Sequence, residues 1–243
     1  MRTLMLIALC CLGEATLAQT PVNKTYPVQA GQSIKFHFDY PDLIKISTWD
    51  RNEISIQGTI SINGGESDDA FELSSSAFGN TLMIESRIKN LKNLPRRITV
   101  TKDGKKFTFK NKSELKDFDP QNRNNYKCYS EGVNMDIMLE IKVPRNVMTK
   151  VESVYGMVEV KKFEGSLVVD ATYGGVDVSL SETNVGELKA ETNYGQIYSN
   201  LNYKFSGREE EDFHTFVSAK LGNGPSYSFE SKYGNVYLRK LSQ

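Results

Sequence analysis

The sequence predicts an all-β fold, a β-solenoid (β-helix-like) of short stacked strands with Tyr-Gly corners. Three observations predict it. Apolar and polar residues alternate along most of the chain, the period of a strand with one buried face, while helical periodicity is almost absent. A phrase made of an alternating stretch, a Tyr-Gly pair and a β-branched residue two positions on recurs four times in the last third. Glycines between those phrases keep a near-fixed spacing, which is the sign of a stacked repeat.

The first segment is set apart from the fold. Arg2 is a short positive region, Leu4 to Leu12 is an apolar run, and Ala18 offers a small residue for cleavage before Gln19. This reads as a secretory signal peptide over residues 1–18. Residues 19–243 then read as one β-solenoid domain, with amino-terminal strands over 28–145 and Tyr-Gly repeats over 146–243. Export to the periplasm, the outer surface or the medium is expected. No later stretch reaches the roughly 20 apolar residues of a spanning helix, so no transmembrane span is expected.

Composition narrows the classes further. Thirty basic residues balance thirty acidic ones, which argues against a nucleic-acid partner, since such proteins carry a basic excess. Once the signal is removed, Cys128 is the one cysteine left. An exported chain with one cysteine is held by packing and not by an internal disulfide. Cys128 reads as a small, partly buried residue.

The amino-terminal strands follow from alternation. Ile34, Phe36 and Phe38 share one face of a strand from Ser33 to Tyr40, and Ile44 and Ile46 continue the pattern after a Pro41-Asp42 turn. Ile54, Ile56, Ile60 and Ile62 mark the next strand, with Gly58 as a bulge. Asn63-Gly64-Gly65 is a turn, and Asp103-Gly104 joins two strands as a hairpin. Ile137 to Val143 is the last strand before Pro144. Residues 112–126 and 202–214, polar and charged, are expected to be surface loops, the second with the acidic run Glu209 to Asp212. The amino-terminal region either joins the solenoid or caps it.

The repeat copies centre on Tyr155-Gly156, Tyr173-Gly174, Tyr194-Gly195 and Tyr233-Gly234. Each glycine permits a corner that a Cβ would hinder. The spacing implies a coil of about 18 to 21 residues, two strands and two corners. Val217 to Gly222 reads as a degenerate capping copy, with Leu221 in the tyrosine place. Parity puts each tyrosine on the face of Val169, Ala171 and Phe229, so the rings are expected to form an internal ladder. The opposite parity carries Glu152, Asp170, Glu191 and Glu230, an exposed column and the candidate interaction surface. Four carboxylates in register suit a divalent cation, but Lys150, Lys189 and Lys232 lie beside them, which favours a solvated surface. No catalytic, cofactor or metal site is expected: His/Cys clusters and phosphate-cradling loops are missing.

Three stretches together carry a family resemblance: Trp49-Asp50-Arg51-Asn52-Glu53, Gly64 to Phe71, and Leu139-Glu140-Ile141-Lys142-Val143-Pro144 ahead of the Tyr-Gly copies. They resemble the putative adhesin family of secreted β-solenoid domains, of Bacteroidetes type and unknown function. The resemblance covers about residues 28 to 241. It implies an exported, non-enzymatic protein presenting a surface to an unknown protein or glycan at the cell envelope, and it brings no binding residues to carry over. Two alternatives stand beside it. One is a polysaccharide-active enzyme using the carboxylate column as acid and base. The other is a periplasmic partner of a membrane signalling system, acting by protein contact.

Overall fold

A computed structural model describes residues 19–120, 126–181, 183–211 and 213–241, with 207–211 described by backbone alone. The expected signal peptide and Asp212 lie outside the described residues. In chain order the strands are β1 Thr20–Pro27, β2 Ser33–Phe38, β3 Leu43–Trp49, β4 Glu53–Ile62, β5 Phe71–Phe78, β6 Thr81–Ile88, β7 Arg97–Lys102 and β8 Lys105–Phe109. Helix α1, Lys112–Phe118, precedes β9 Cys128–Gly132, β10 Met135–Pro144, β11 Thr149–Ser153, β12 Met157–Lys161, β13 Leu167–Ala171 and β14 Val176–Leu180. The last strands are β15 Glu187–Thr192, β16 Ile197–Ser199, β17 Ser206–Glu211, β18 His214–Lys220, β19 Ser226–Ser231 and β20 Val236–Lys240.

The chain is all-β, but it is not a β-solenoid. The strands form two large mixed sheets and one small one, with no closed solenoid. One large sheet runs β1-β4-β10-β3-β12-β14-β20-β16, the other β17-β18-β15-β19-β13-β11-β2-β6-β5, and the small sheet β8-β7-β9. Two findings overturn the solenoid. First, both large sheets join a parallel stretch to antiparallel pairs, at the β1–β4 margin of one and at both margins of the other, as at β5–β6 and β15–β18. Second, the repeat copies do not stack in chain order: β19 lies between β13 and β15, and β20 between β14 and β16. The fourth copy is thus inserted between the second and third.

The amino-terminal strands do not cap the repeats either. β2 pairs with β11, and β3 with β12, both parallel and in register with the Tyr-Gly copies. Alternation explains the packing. One apolar cluster joins Phe36, Val151, Val169 and Phe229 of one large sheet to Ile46, Val160, Val178 and Leu238 of the other. Burying these side chains between two sheets is the main favourable term for the fold.

Several local expectations are also corrected. Residues 112–118 form a helix, capped by the Asn111 carboxamide, which accepts from the Ser113 and Glu114 amides. Phe118 then packs on Phe107 and Phe109 of the small sheet. The polar stretch 202–214 contains β17, which pairs with β18 in an antiparallel hairpin. Leu221 is therefore no tyrosine equivalent, because β18 runs antiparallel to β15. Gly58 causes no bulge: β4 keeps register with β1 and β10 across it, and the glycine is needed because a Cβ would strike the Met138 carbonyl. Cys128 is exposed.

Candidate functional site

The repeat tyrosines lie on the outside of the molecule and not on the internal face that alternation predicts. β11, β13, β15 and β19 end at Ser153, Ala171, Thr192 and Ser231, two residues before each tyrosine. Alternation no longer applies beyond a strand end, so the tyrosine points outward although the residue two before it is buried. Tyr155, Tyr173, Tyr194 and Tyr233 are 57%, 55%, 60% and 45% exposed. They form an external ladder and not an internal one.

The ladder is longer than the repeat. Its order is Tyr40, Tyr155, Tyr173, Tyr233, Tyr194 and Phe213, with ring centroids 5.9, 5.2, 5.1, 5.1 and 6.1 Å apart. The central rings are within 12° of parallel. The spacing follows from the sheet, because parallel strands place equivalent residues about 4.8 Å apart. Backbone bonds fix the stack: the Tyr173 amide donates to the Val154 carbonyl, Tyr233 to Thr172 and Tyr194 to Lys232. Tyr40 escapes the sequence reading because Pro41 stands where the other copies have glycine. Its signal was the pairing of alternating strands on either side, Ile34 to Phe38 and Ile44 to Ile46.

Hydroxyls hold three of the four corners, Ala171 standing in that place at the other. The Ser231 hydroxyl accepts from the Gly234 amide at 2.9 Å and donates to the Gly174 carbonyl at 2.7 Å. Thr192 repeats the pattern, accepting from the Gly195 amide and donating to the Gly234 carbonyl. Ser153 donates to the Gly156 carbonyl. Each buried hydroxyl thus satisfies corner backbone that would otherwise be desolvated without a partner.

The predicted carboxylates do form one column, on the outer face of the sheet that holds β11. The spatial order is Glu152, Asp170, Glu230, Glu191, with His37 in register beside Glu152. Their environments differ. Burial alone would push the Glu152 carboxyl up, but Lys35, Lys150 and His37 bond to it and hold it at about 2. Lys150 also reaches Asp170 at 2.8 Å, and His214 bonds Glu191 at 2.8 Å. Glu230 makes no ion pair among the described residues. Burial, then Glu191 and Asp170 on the flanking strands, pushes its carboxyl above the usual range. Among the described residues no group of three or more acidic, His or Cys side chains is placed to hold a metal ion.

A raised carboxyl pKa means that ionised Glu230 opposes folding at neutral pH, and protonation relieves the cost as pH falls through its folded value. Glu230→Gln should therefore stabilise the protein by about 0.5 kcal/mol at neutral pH, the scale of like charges on adjacent strands. The gain should shrink as pH drops through the carboxylate range. Urea midpoints at neutral and acidic pH check both parts; a gain independent of pH would mean that packing and not charge is responsible.

At one end of the ladder, Tyr40 and Tyr155 border a cleft of about 690 Å³ beneath the small sheet. At the other, Tyr194 and Phe213 border an open groove of about 900 Å³ beside β16. Among the described residues, no helix is long and apolar enough to cross a membrane.

No protein-family model matches the chain, and no curated protein matches it. Two crystal structures are similar to it at low identity. One is of a putative cell adhesion protein from Clostridium sporogenes, 13% identical, covering 91% of this chain and 100% of that one with a TM-score of 0.47. The other is of a putative adhesin from Bacteroides fragilis, 11% identical, covering 93% of this chain and 99% of that one with a TM-score of 0.23.

Proposed function

We propose that this chain is an exported, non-enzymatic interaction protein of adhesin type, and that the tyrosine ladder is its contact surface. The observation that carries this reading is the exposure of about half of each of the four repeat tyrosines. Stacking accounts for the spacing, and it stabilises each pair by about 0.5–1.5 kcal/mol. It does not require a continuous strip of aromatic edges and hydroxyls facing solvent. Exposed tyrosines of this kind supply large, rigid, amphipathic contact area at little conformational cost.

The geometry also favours a protein over a glycan at this strip. Sugar rings stack on aromatic faces, and here the faces of the central tyrosines are already covered by their neighbours. What remains available is edges and hydroxyls, which suit a polypeptide surface.

The test compares attachment of cells or envelope fragments to immobilised mature protein and to Tyr173→Ala/Tyr233→Ala. The double variant should keep its fold, since both rings are about half exposed, and should lose most of the attachment. Equal attachment to both proteins would remove the ladder as the contact surface, and no attachment to the wild type would remove the adhesin reading.

A further inference from the structure

The cleft at the Tyr40 end combines cationic and apolar side chains. Its lining joins cationic Lys92, Arg96 and Lys106 to apolar Leu91, Leu94, Val133 and Met135, with Tyr40 and Tyr155 at one wall. These residues come from segments far apart in sequence, brought together where the small sheet meets the ladder. Arg96 is engaged: it donates to the Glu131 carbonyl at 2.7 Å, and its Nε lies 3.9 Å from the Glu131 carboxylate. Lys92 and Lys106 are exposed and, among the described residues, make no ion pair. Glu131 is the acidic side chain in the lining. Cations therefore outnumber anions around an apolar floor.

Tyr40 ends the ladder, stacked on Tyr155 at 5.9 Å on one side. Among the described residues no second ring stacks on it, and its partly buried side chain packs against the core where the strip ends.

We infer that this cleft binds an acidic peptide segment of a partner protein, one that carries an aromatic or large apolar side chain next to its carboxylates. Lys92 and Lys106 attract the carboxylates, and the apolar floor, with Tyr40 and Tyr155 at its wall, takes the side chain. An anionic polysaccharide would satisfy the lysines and leave the exposed parts of Leu91, Leu94, Val133 and Met135 facing water. This inference names the partner chemistry for the proposed contact surface and rests on that reading. The cleft supplies specificity by charge where the ladder supplies area.

The test uses fluorescence anisotropy on the full mature chain with a labelled peptide alternating glutamate and phenylalanine. A peptide alternating lysine and phenylalanine is the control. The acidic peptide should bind, and the control should not. Lys92→Glu/Lys106→Glu should weaken binding tenfold or more, and Lys92→Gln/Lys106→Gln by a smaller factor; both pairs are exposed, so thermal melts should match the wild type. Added salt should weaken binding, as expected for charges at a surface. Tyr173→Ala/Tyr233→Ala should bind the peptide normally, since these rings lie outside the cleft. A failed ladder with an intact cleft is thus separable from the reverse. Equal binding of both peptides, or insensitivity to the charge reversal, would overturn the inference. So would binding of polygalacturonate in place of the peptide. Self-association of the protein that the charge reversal abolishes would also overturn it, by assigning the cleft to a second copy of the chain.

Discussion

Gly174→Ala should cost about 3 kcal/mol or more, a large fraction of the total stability of a folded domain. The reason is not backbone freedom, since Gly174 has no positive φ. It is close approach. A Cβ at Gly174 would lie under 3.0 Å from the carbonyl carbon and oxygen of Gly156, distances that real Cβ atoms essentially never show, and 3.1 Å from the Met157 nitrogen. Backbone cannot give way as a flexible side chain can. The Gly174 carbonyl is itself held by the Ser231 hydroxyl, so a shift would also break the next corner. Gly132→Ala is the control, because a Cβ there meets nothing within 4 Å; it should change stability by less than about 0.5 kcal/mol. Urea denaturation of the two variants decides the matter. An unchanged midpoint for Gly174→Ala would mean that the corners do not nest as described.

The same close approach recurs along the ladder and fixes its order. A Cβ at Gly156 would meet the Pro41 carbonyl, one at Gly234 the Gly174 carbonyl, and one at Gly195 the Gly234 carbonyl. The chain of contacts runs 41, 156, 174, 234, 195, matching the order of the rings. Corners, hydroxyls and rings are three consequences of one parallel stacking.

Much of this was legible in the sequence, and the part that was not has identifiable causes. Alternation marks β2, β3, β4, β10 and the repeat strands because each buries one face. It gives no sheet order, because the copies present interchangeable patterns: Val169-Asp170-Ala171, Ala190-Glu191-Thr192 and Phe229-Glu230-Ser231 suit the same slot. Which copy neighbours which is a long-range choice, so a period along the chain implies a solenoid although β19 is inserted between β13 and β15. The carboxylate column was visible for the same reason that its order was not. Parity located the tyrosines beside each other and on the wrong side, since it cannot see that a strand ends at Ala171. The cleft was invisible to any local reading: Tyr40, Lys92, Lys106 and Met135 share no motif and meet through the placement of the small sheet.

The insertion of the fourth copy places Phe229 in the core with a strand on either side. It is 1% exposed and stands in register between Val169 on β13 and Ala190 on β15. Two smaller neighbours flank one large ring, so the ring fills space that neither could reach. Phe229→Ala should remove that filling and leave a cavity between the sheets, costing about 4 kcal/mol. Phe229→Leu keeps most of the volume and should cost about 1.5 kcal/mol. Phe78 supplies the contrast within the same sheet: it is 87% exposed on β5, and Phe78→Ala should stay within about 0.5 kcal/mol of the wild type. Had the copies stacked in chain order, β19 would sit beyond β15 at the end of the stack, with a neighbour on one side and room to relax on the other. Truncating Phe229 would then be mild. Urea midpoints for the three variants separate the cases, and a loss below about 1 kcal/mol for Phe229→Ala would place β19 at a margin and refute its position between β13 and β15.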